Sequence, residues 1–366
     1  MKWSWRIGSY AGIGVYIHAT FLLLIGWVVL THWFRGKSLA DTAEGVLFML
    51  ALFACVLLHE FGHALTAKRY GIRTRDITLL PIGGVARLER MPDDPRQELW
   101  VALAGPAVNV VIAAALFGWL AVTDALEPLS KLAVAEGSFL ERLMIVNVFL
   151  VLFNMLPAFP MDGGRVVRAL LATRMEYTKA THIAALLGQG MAYLFGFLGL
   201  LFNPFLLFIA FFVWIGAAQE ASMTQMKSAL AGIPVSRAML TDFQTLLPGD
   251  PLSTAVEKIL AGFQHDFPVL EGNEVVGVLT REDLMRALAD RGPETPVGAV
   301  MRREIQTADA GEMLETAFQR LQGCECRALP VYRLGRLEGL LTADNVGEFL
   351  MIQSALTSLQ KHRRAS

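Results

Sequence analysis

Long stretches without charged side chains dominate the first 220 residues of the chain. Asp, Glu, Lys and Arg are absent from residues 7–34, 99–123, 143–161 and 180–219. A helix that crosses a bilayer needs about 20 predominantly apolar residues, so these stretches are candidate spans. The last of them has Asn203 and Pro204 near its middle, which favours two helices with a tight turn between them. Together with the apolar residues 45–67, the pattern predicts six transmembrane helices.

The remainder of the chain has a different pattern. Residues 221–366 hold 15 Lys/Arg and 18 Asp/Glu, whereas residues 1–220 hold 17 and 15 in a longer segment. A shift of 62 residues also aligns the second part with itself, as in the pairs Pro234/Pro296, Thr245/Thr307 and Gly277/Gly339. Each copy has a helical stretch, two short apolar runs and another helical stretch. We therefore expect a soluble α+β module of two repeats.

Composition and charge narrow the function classes. The whole chain is 54% hydrophobic and 18% charged, with a mean hydropathy of +0.46, which excludes an ordinary soluble enzyme. Its net charge of −1 offers no basic face for nucleic acid. Cys55, Cys324 and Cys326 are too few for a disulfide framework. Lys and Arg concentrate in residues 68–96 and 165–179, which predicts a multi-pass protein of the cytoplasmic membrane with both termini in the cytoplasm.

A metal-binding motif lies inside one of the apolar stretches. Residues i and i+4 share one face of a helix, so His59 and His63 can bind the same Zn²⁺, and the intervening Glu60 can act as general base. Ionisable groups in a membrane helix are costly and normally have a functional partner. A polar cluster that only joins helices is the alternative interpretation.

The third ligand is open on spacing alone. A catalytic zinc site takes three protein ligands and keeps one position for water. Asp162, in the stretch FNMLPAFPMDGGRVV, can be that ligand or can belong to an Asp-Gly turn. The other candidates are His18, His32 and His182, and Cys55 lies on the same helical face as His59.

The order of motifs resembles that of the site-2 protease family of intramembrane zinc metalloproteases. The motifs are HEFGH, GGVARLE, AGPAVN and NMLPAFPMDGGR, and they cover the membrane part of the chain. The resemblance implies one Zn²⁺ per chain bound by His59, His63 and Asp162, and water activated by Glu60. It also implies that Asn154 and Pro157 contact the substrate, while Asn109 packs near the site without an assigned role.

Residues 79–88 are a candidate re-entrant hairpin. Pro81 and the Gly83-Gly84 pair break helix, and their flanks are apolar. Given the family resemblance, we hypothesise that the strand holding Gly83, Gly84 and Val85 pairs with an extended substrate. A simple cytoplasmic turn is the alternative.

The repeated module resembles a tandem pair of cystathionine-β-synthase (CBS) domains. Such pairs bind adenine nucleotides through a G-x-x-T-x-x-D stretch, which implies a role for Thr280 and Asp283 in the first copy. In the second copy Asn345 replaces the acidic residue, so we expect at most one nucleotide site, for ATP or a related compound. The alternative is a pair that only forms a homodimer or docks on the membrane part.

These observations predict a polytopic α-helical membrane protein with a cytosolic α+β tandem CBS module. The expected function is hydrolysis of peptide bonds in or near transmembrane segments of other proteins, gated by a nucleotide on the CBS pair. A catalytically silent membrane scaffold and a CBS-regulated metal transporter are the alternatives. The expected divisions are a membrane metalloprotease domain (1–222), a linker (223–232), two CBS repeats (233–291 and 292–354) and a tail (355–366).

Overall fold

The structure is a computed structural model that describes residues 3–81, 83–92, 94–123, 137–262, 264–323 and 327–365. Cys324 and Cys326, and Ile82 of the expected hairpin, lie outside the described residues. The chain divides into two compact units, Met1–Thr224 and Gln225–Ser366.

Helices make up most of the first unit. They are α1 (Thr20–Phe34), α2 (Leu39–Arg69), α3 (Pro95–Val122), α4 (Phe139–Asn154), α5 (Asp162–Ala172), α6 (Tyr177–Leu201) and α7 (Phe205–Leu230). Within the described part of the chain, α2, α3, α6 and α7 are long and apolar enough to cross a membrane. The predicted turn at Asn203 and Pro204 is confirmed, because α6 ends and α7 begins on either side of it.

The predicted count of six spans is not confirmed. Helix α1 is apolar but has 15 residues and α4 has 16, and at 1.5 Å per residue both are shorter than a hydrocarbon core of about 30 Å. The uncharged stretch at residues 143–161 is helical only as far as Asn154. An absence of charge therefore overestimated how far these two helices extend.

The prediction of helix was wrong for residues 7–18. This segment forms most of strand β1 (Ser4–Tyr10) and all of strand β2 (Ile13–His18), which pair antiparallel around a turn where Ala11 and Gly12 have φ of 53° and 85°. The physical reason is a period of two: Ile13 and Val15 are buried on one face, and smaller or polar residues alternate with them.

Two further strands complete a four-stranded sheet. Strands β3 (Thr74–Leu80) and β4 (Gly83–Leu88) form an antiparallel hairpin, and β3 also pairs in parallel with β2. The order β1-β2-β3-β4 leaves β4 at an edge. A hairpin thus forms at residues 79–88, as the break at Pro81 and the glycine pair predicted.

The second unit has the two-repeat organisation. The first copy contains α8 (Leu252–Ala261), β5 (Phe267–Glu271), β6 (Glu274–Leu279) and α9 (Arg281–Arg291). The second contains β7 (Ala308–Asp309), α10 (Leu314–Gly323), β8 (Ala328–Arg333), β9 (Arg336–Thr342) and α11 (Ala343–Ala365).

The two copies exchange equivalent segments. Val278 of the first copy and Arg302 exchange both backbone hydrogen bonds, each of 3.0 Å. Sixty-two residues away from each of them, Leu340 and Leu240 exchange the same pair of bonds. The repeat seen in the sequence is therefore also a repeat of contacts, and the copies form one module.

Candidate metal centre

Helix α2 carries both histidines of the motif on one side. The helix begins at a capping box in which Ser38 accepts from the Asp41 N–H and Asp41 accepts from the Ser38 N–H. Its last three turns contain His59 and His63, which are 6% and 4% exposed. The four-residue spacing brings their rings to a centroid distance of 4.7 Å.

Asp162 completes a triangle of ligand atoms. Its Oδ2 lies 3.2 Å from His59 Nε2 and 3.1 Å from His63 Nε2, and the two nitrogens are 3.1 Å apart. Asp162 is the first residue of α5 and is 6% exposed. Within the described part of the chain, these are the three His, Cys, Asp or Glu residues that group closely enough to hold a metal ion.

The Nδ1 atom of each imidazole lies next to a hydrogen-bond acceptor. His59 Nδ1 lies 2.6 Å from Asn109 Oδ1, and His63 Nδ1 lies 2.7 Å from the Val101 carbonyl oxygen. Both groups accept, so each Nδ1 carries the hydrogen and each Nε2 presents a lone pair to the triangle. Sequence reasoning placed Asn109 near the site, and the structure identifies the contact that it makes.

The donor set fits a zinc ion. Two imidazole nitrogens and a carboxylate oxygen are typical zinc ligands, with bonds of about 2.0–2.2 Å. At tetrahedral angles such bonds place the donor atoms about 3.3 Å apart, close to the distances in the triangle. Three electron-pair donors this close repel one another unless a cation lies between them. The arrangement therefore suits a three-ligand metal site.

Local packing brings the start of α5, and with it Asp162, close to the backbone that follows α4. A Cβ on the next residue, Gly163, would lie 2.2 Å from the Leu156 carbonyl oxygen, so the start of α5 can approach this backbone only with glycine there. The second carboxylate oxygen of Asp162 lies 3.9 Å from Arg165 Nη1. The two oxygens thus face different partners, and Oδ2 is left for the histidines.

Sequence reasoning missed Gly105 of α3. A Cβ at this position would lie 2.2 Å from His63 Nε2 and 2.7 Å from His59 Nε2, so any side chain here would occupy the triangle. The signal was available in the AGPAVN stretch, but a glycine in a membrane helix has many structural uses.

Glu60 lies beside the edge strand of the sheet. Its Oε2 accepts from the backbone N–H of Ala86 in β4 at 3.2 Å. A Cβ on Gly84 would lie 2.7 Å from Glu60 Cγ, so this glycine permits the close approach of β4 to α2. The structure thus brings the expected general base together with the strand that contains Gly83, Gly84 and Val85.

The other expected substrate residues lie outside the triangle. Asn154 is the last residue of α4, and its Nδ2 donates to the Leu150 carbonyl of the same helix at 2.9 Å. Pro157 is exposed and lines an apolar groove of about 430 Å³ along α6, with Ile183, Leu186, Leu187, Gly190 and Met191.

The residues expected to bind a nucleotide are engaged within the protein. Thr280 caps α9 by accepting from the Asp283 N–H, and its hydroxyl donates to Asp283 Oδ2. Arg302 Nε donates to the same carboxylate at 2.5 Å. Burial alone would raise the pKa of Asp283, but the hydrogen bonds from Arg302 and Thr280 outweigh it and hold the pKa below its usual value.

The chain matches two family models. Residues 47–135 and 130–197 match peptidase family M50, and residues 235–290 and 297–351 match the CBS domain. The chain thus combines the sequence pattern of a peptidase family with that of a CBS pair, which confirms both resemblances seen in the sequence.

Two zinc metalloproteases match this chain along most of its length. A zinc metalloprotease of Methanocaldococcus jannaschii is 33% identical over 320 residues, covering 84% of this chain and 90% of the relative. A putative zinc metalloprotease of a Synechocystis species is 28% identical over 374 residues, 96% of both chains. The site-2 protease structure from M. jannaschii is 35% identical, with a TM-score of 0.45, and covers 60% of this chain and 95% of that one. The chain belongs to the site-2 protease family, peptidase family M50.

Proposed function

We propose that the protein is an intramembrane zinc endopeptidase that cleaves peptide bonds within or near transmembrane segments of other proteins. The observation that supports it best is the triangle of His59 Nε2, His63 Nε2 and Asp162 Oδ2, with sides of 3.1–3.2 Å. These three atoms would hold one zinc ion. A zinc ion with an open position supplies a Lewis acid that polarises a carbonyl and makes water more acidic.

Glu60 is the proposed general base and acid. Its position directly after His59 in α2 puts the carboxylate next to the ligand face of the helix, where water and a peptide carbonyl would meet. A carboxylate oxygen of Glu60 takes a proton from the attacking water and delivers it to the nitrogen of the leaving amine. The contact with the Ala86 N–H holds the Glu60 side chain toward β4.

The edge of β4 is the proposed docking site for an extended substrate. A peptide bond in a helix has both of its polar groups engaged, so the substrate must unwind and find replacement hydrogen bonds. An edge strand offers a row of backbone donors and acceptors for such pairing. Gly83, Gly84 and Val85 lie in this strand, and the Ala86 contact brings it to Glu60. Asn154 would bind the substrate backbone, and Pro157 and its apolar groove would contact a substrate side chain.

The proposed location is the cytoplasmic membrane, with both termini in the cytoplasm. The Lys and Arg residues between the apolar helices support this orientation. We also propose that an adenine nucleotide on the CBS pair regulates cleavage, through Thr280 and Asp283. A nucleotide at Asp283 would have to share or replace the contact with Arg302.

Zinc content and cleavage measured on the same samples test the proposal. The samples are the full chain in detergent, Glu60→Gln, and the double variant His59→Ala, His63→Ala, with a membrane-anchored reporter as substrate in proteoliposomes. We expect about one zinc per chain in the first two samples and little in the third. Glu60→Gln should cleave at least about 100-fold more slowly, because it cannot accept the proton.

Each proposed role has its own contrary result. Unchanged cleavage by zinc-loaded Glu60→Gln would refute the general base. A folded full chain that takes up no added zinc would refute the metal site and favour a silent scaffold.

A further inference from the structure

A series of hydrogen-bonded polar side chains joins the metal centre to α4. His59 Nδ1 donates to Asn109 Oδ1 at 2.6 Å, and Asn109 Nδ2 donates to Asn147 Oδ1 at 2.8 Å. Asn147 Nδ2 donates to the Leu143 carbonyl at 2.8 Å and to Cys55 Sγ at 3.4 Å. Asn109 and Asn147 are 0% exposed, and the segments around them are apolar.

The donor and acceptor directions in this series are set at the end that lies farthest from the metal centre. The Leu143 carbonyl is a backbone group that can only accept, so Asn147 must turn its nitrogen toward it. Asn147 then offers its oxygen to Asn109, and Asn109 in turn offers its oxygen to His59. Inverting either amide would put two acceptors or two donors face to face in an apolar interior, where an unpaired polar group costs about 1–3 kcal/mol.

We infer that Asn109 and Asn147 are positioning residues that fix the tautomer of His59. Because Asn109 presents an oxygen, His59 carries its hydrogen on Nδ1, and the Nε2 lone pair points to His63 and Asp162. Asn147 makes no contact with His59 in this series of hydrogen bonds, so it acts only by orienting Asn109. The inference rests on the proposed zinc site and adds a second layer of residues that determines its affinity.

The same series of hydrogen bonds also explains the position of Cys55. Its Sγ receives the second proton of the Asn147 amide, so both protons of that nitrogen have partners. Cys55 is buried and lies outside the three-residue metal group in the described part of the chain. We therefore assign Cys55 to this series of hydrogen-bonded side chains and not to the zinc ligands.

Zinc affinity of five variants, measured by competition with a chelator in detergent, tests the inference. Removing a partner of a metal-ligating histidine lowers metal affinity by about 10–100-fold, which is the loss that we expect for Asn109→Leu. Asn147→Leu should also lower the affinity, because Asn109 can then turn its nitrogen toward His59. Adding Asn147→Leu to Asn109→Leu should cause no further loss, since both act on the same bond.

Asn109→Asp separates positioning from packing. The carboxylate still accepts from His59 Nδ1, so this variant should keep more zinc affinity than Asn109→Leu. Its other oxygen faces the oxygen of Asn147, so the thermal midpoint of the protein should fall. Thr181→Val is the matched control: this buried hydroxyl donates to the Tyr177 carbonyl in α6, and its loss should change stability but not zinc affinity.

The outcomes distinguish the inference from the proposed function. A full chain that binds no zinc overturns the proposed function itself. A full chain that binds zinc while Asn109→Leu and Asn147→Leu bind it equally well overturns the inference alone. Additive losses in the double variant, or equal affinity for Asn109→Asp and Asn109→Leu, also overturn it. If Asn109→Leu does not fold, Asn147→Leu against Thr181→Val still decides.

Discussion

At the scale of single residues, the centre depends as much on missing side chains as on reactive ones. Gly105 lies directly over the two imidazoles, where a Cβ would come within 2.2 Å of His63 Nε2. Real Cβ atoms do not approach other heavy atoms this closely, and His63 is held on its other side by the Val101 carbonyl. The ring cannot retreat without losing that bond.

Gly105→Ala should therefore reduce zinc binding without touching a ligand. The added methyl group occupies the space between the two Nε2 atoms, so we expect most of the bound zinc to be lost. Zinc content of the purified variant checks this, with Gly118→Ala in the same helix as control, because a Cβ there meets nothing within 4 Å. Equal zinc in both variants would contradict the expectation.

At the scale of elements, a buried guanidinium fixes the short helix that carries Asp162. Arg168 of α5 is 1% exposed and pairs with Glu98 of α3 through Nε and Nη2, at 2.8 and 2.5 Å. It also pairs with Glu220 of α7 and stacks over the rings of Phe159 and Tyr177, each centroid 5.0 Å away. One side chain thus connects α5 to three longer helices.

Arg168→Met should destabilise the membrane unit strongly. The substitution leaves Glu98 buried without its cation, and breaking a buried pair in this way costs about 3–5 kcal/mol. Thermal denaturation in detergent measures the effect. Arg142→Met, which removes a more exposed pair with Glu44, is the control and should cost about 1 kcal/mol or less. A similar loss in both variants would argue against a structural role for the Arg168 cluster.

The elements also show how far the sequence could be read. His59, His63 and Asp162 were predicted because a helical spacing and an ordered set of motifs single them out. The links through Gly105 and Asn147 were not, because no spacing in the sequence connects these residues to the histidines and such contacts depend on how helices pack. Strands β1 and β2 were missed because an absence of charge was given more weight than the alternation of Ile13, Val15 and Ile17.

At the scale of the whole molecule, the two CBS copies differ at one matched pair of positions. Asp283 and Arg302 form an ion pair in the first copy. The positions 62 residues away from them are Asn345 and Leu240, which carry no charge. The acid and its basic partner are thus both present in the first copy, and both are absent from the equivalent positions of the second.

This ion pair predicts how the stability of the CBS unit depends on pH. The pKa of Asp283 is lowered in the folded state, so the pair stabilises the fold at pH values above the unfolded pKa of about 4, and the contribution is lost as pH falls through the lower folded value. Asp283→Asn should therefore unfold more readily at pH 7, and its difference from the unmodified protein should shrink below about pH 4. Amide hydrogen exchange in α9 measures this locally. A difference that does not change with pH would exclude the ion pair as its cause.

The glycines around the centre also restrict how its gene can change. Any missense change in a glycine codon adds a side chain, and at Gly62 the new Cβ would lie 2.6 Å from the backbone oxygen of Ala104. At Gly163 the obstacle is again a backbone oxygen, which cannot rotate aside. More codons than those of the metal ligands and the general base Glu60 are thus sensitive to mutation. A random library selected for zinc retention should therefore contain few substitutions at these glycine codons too.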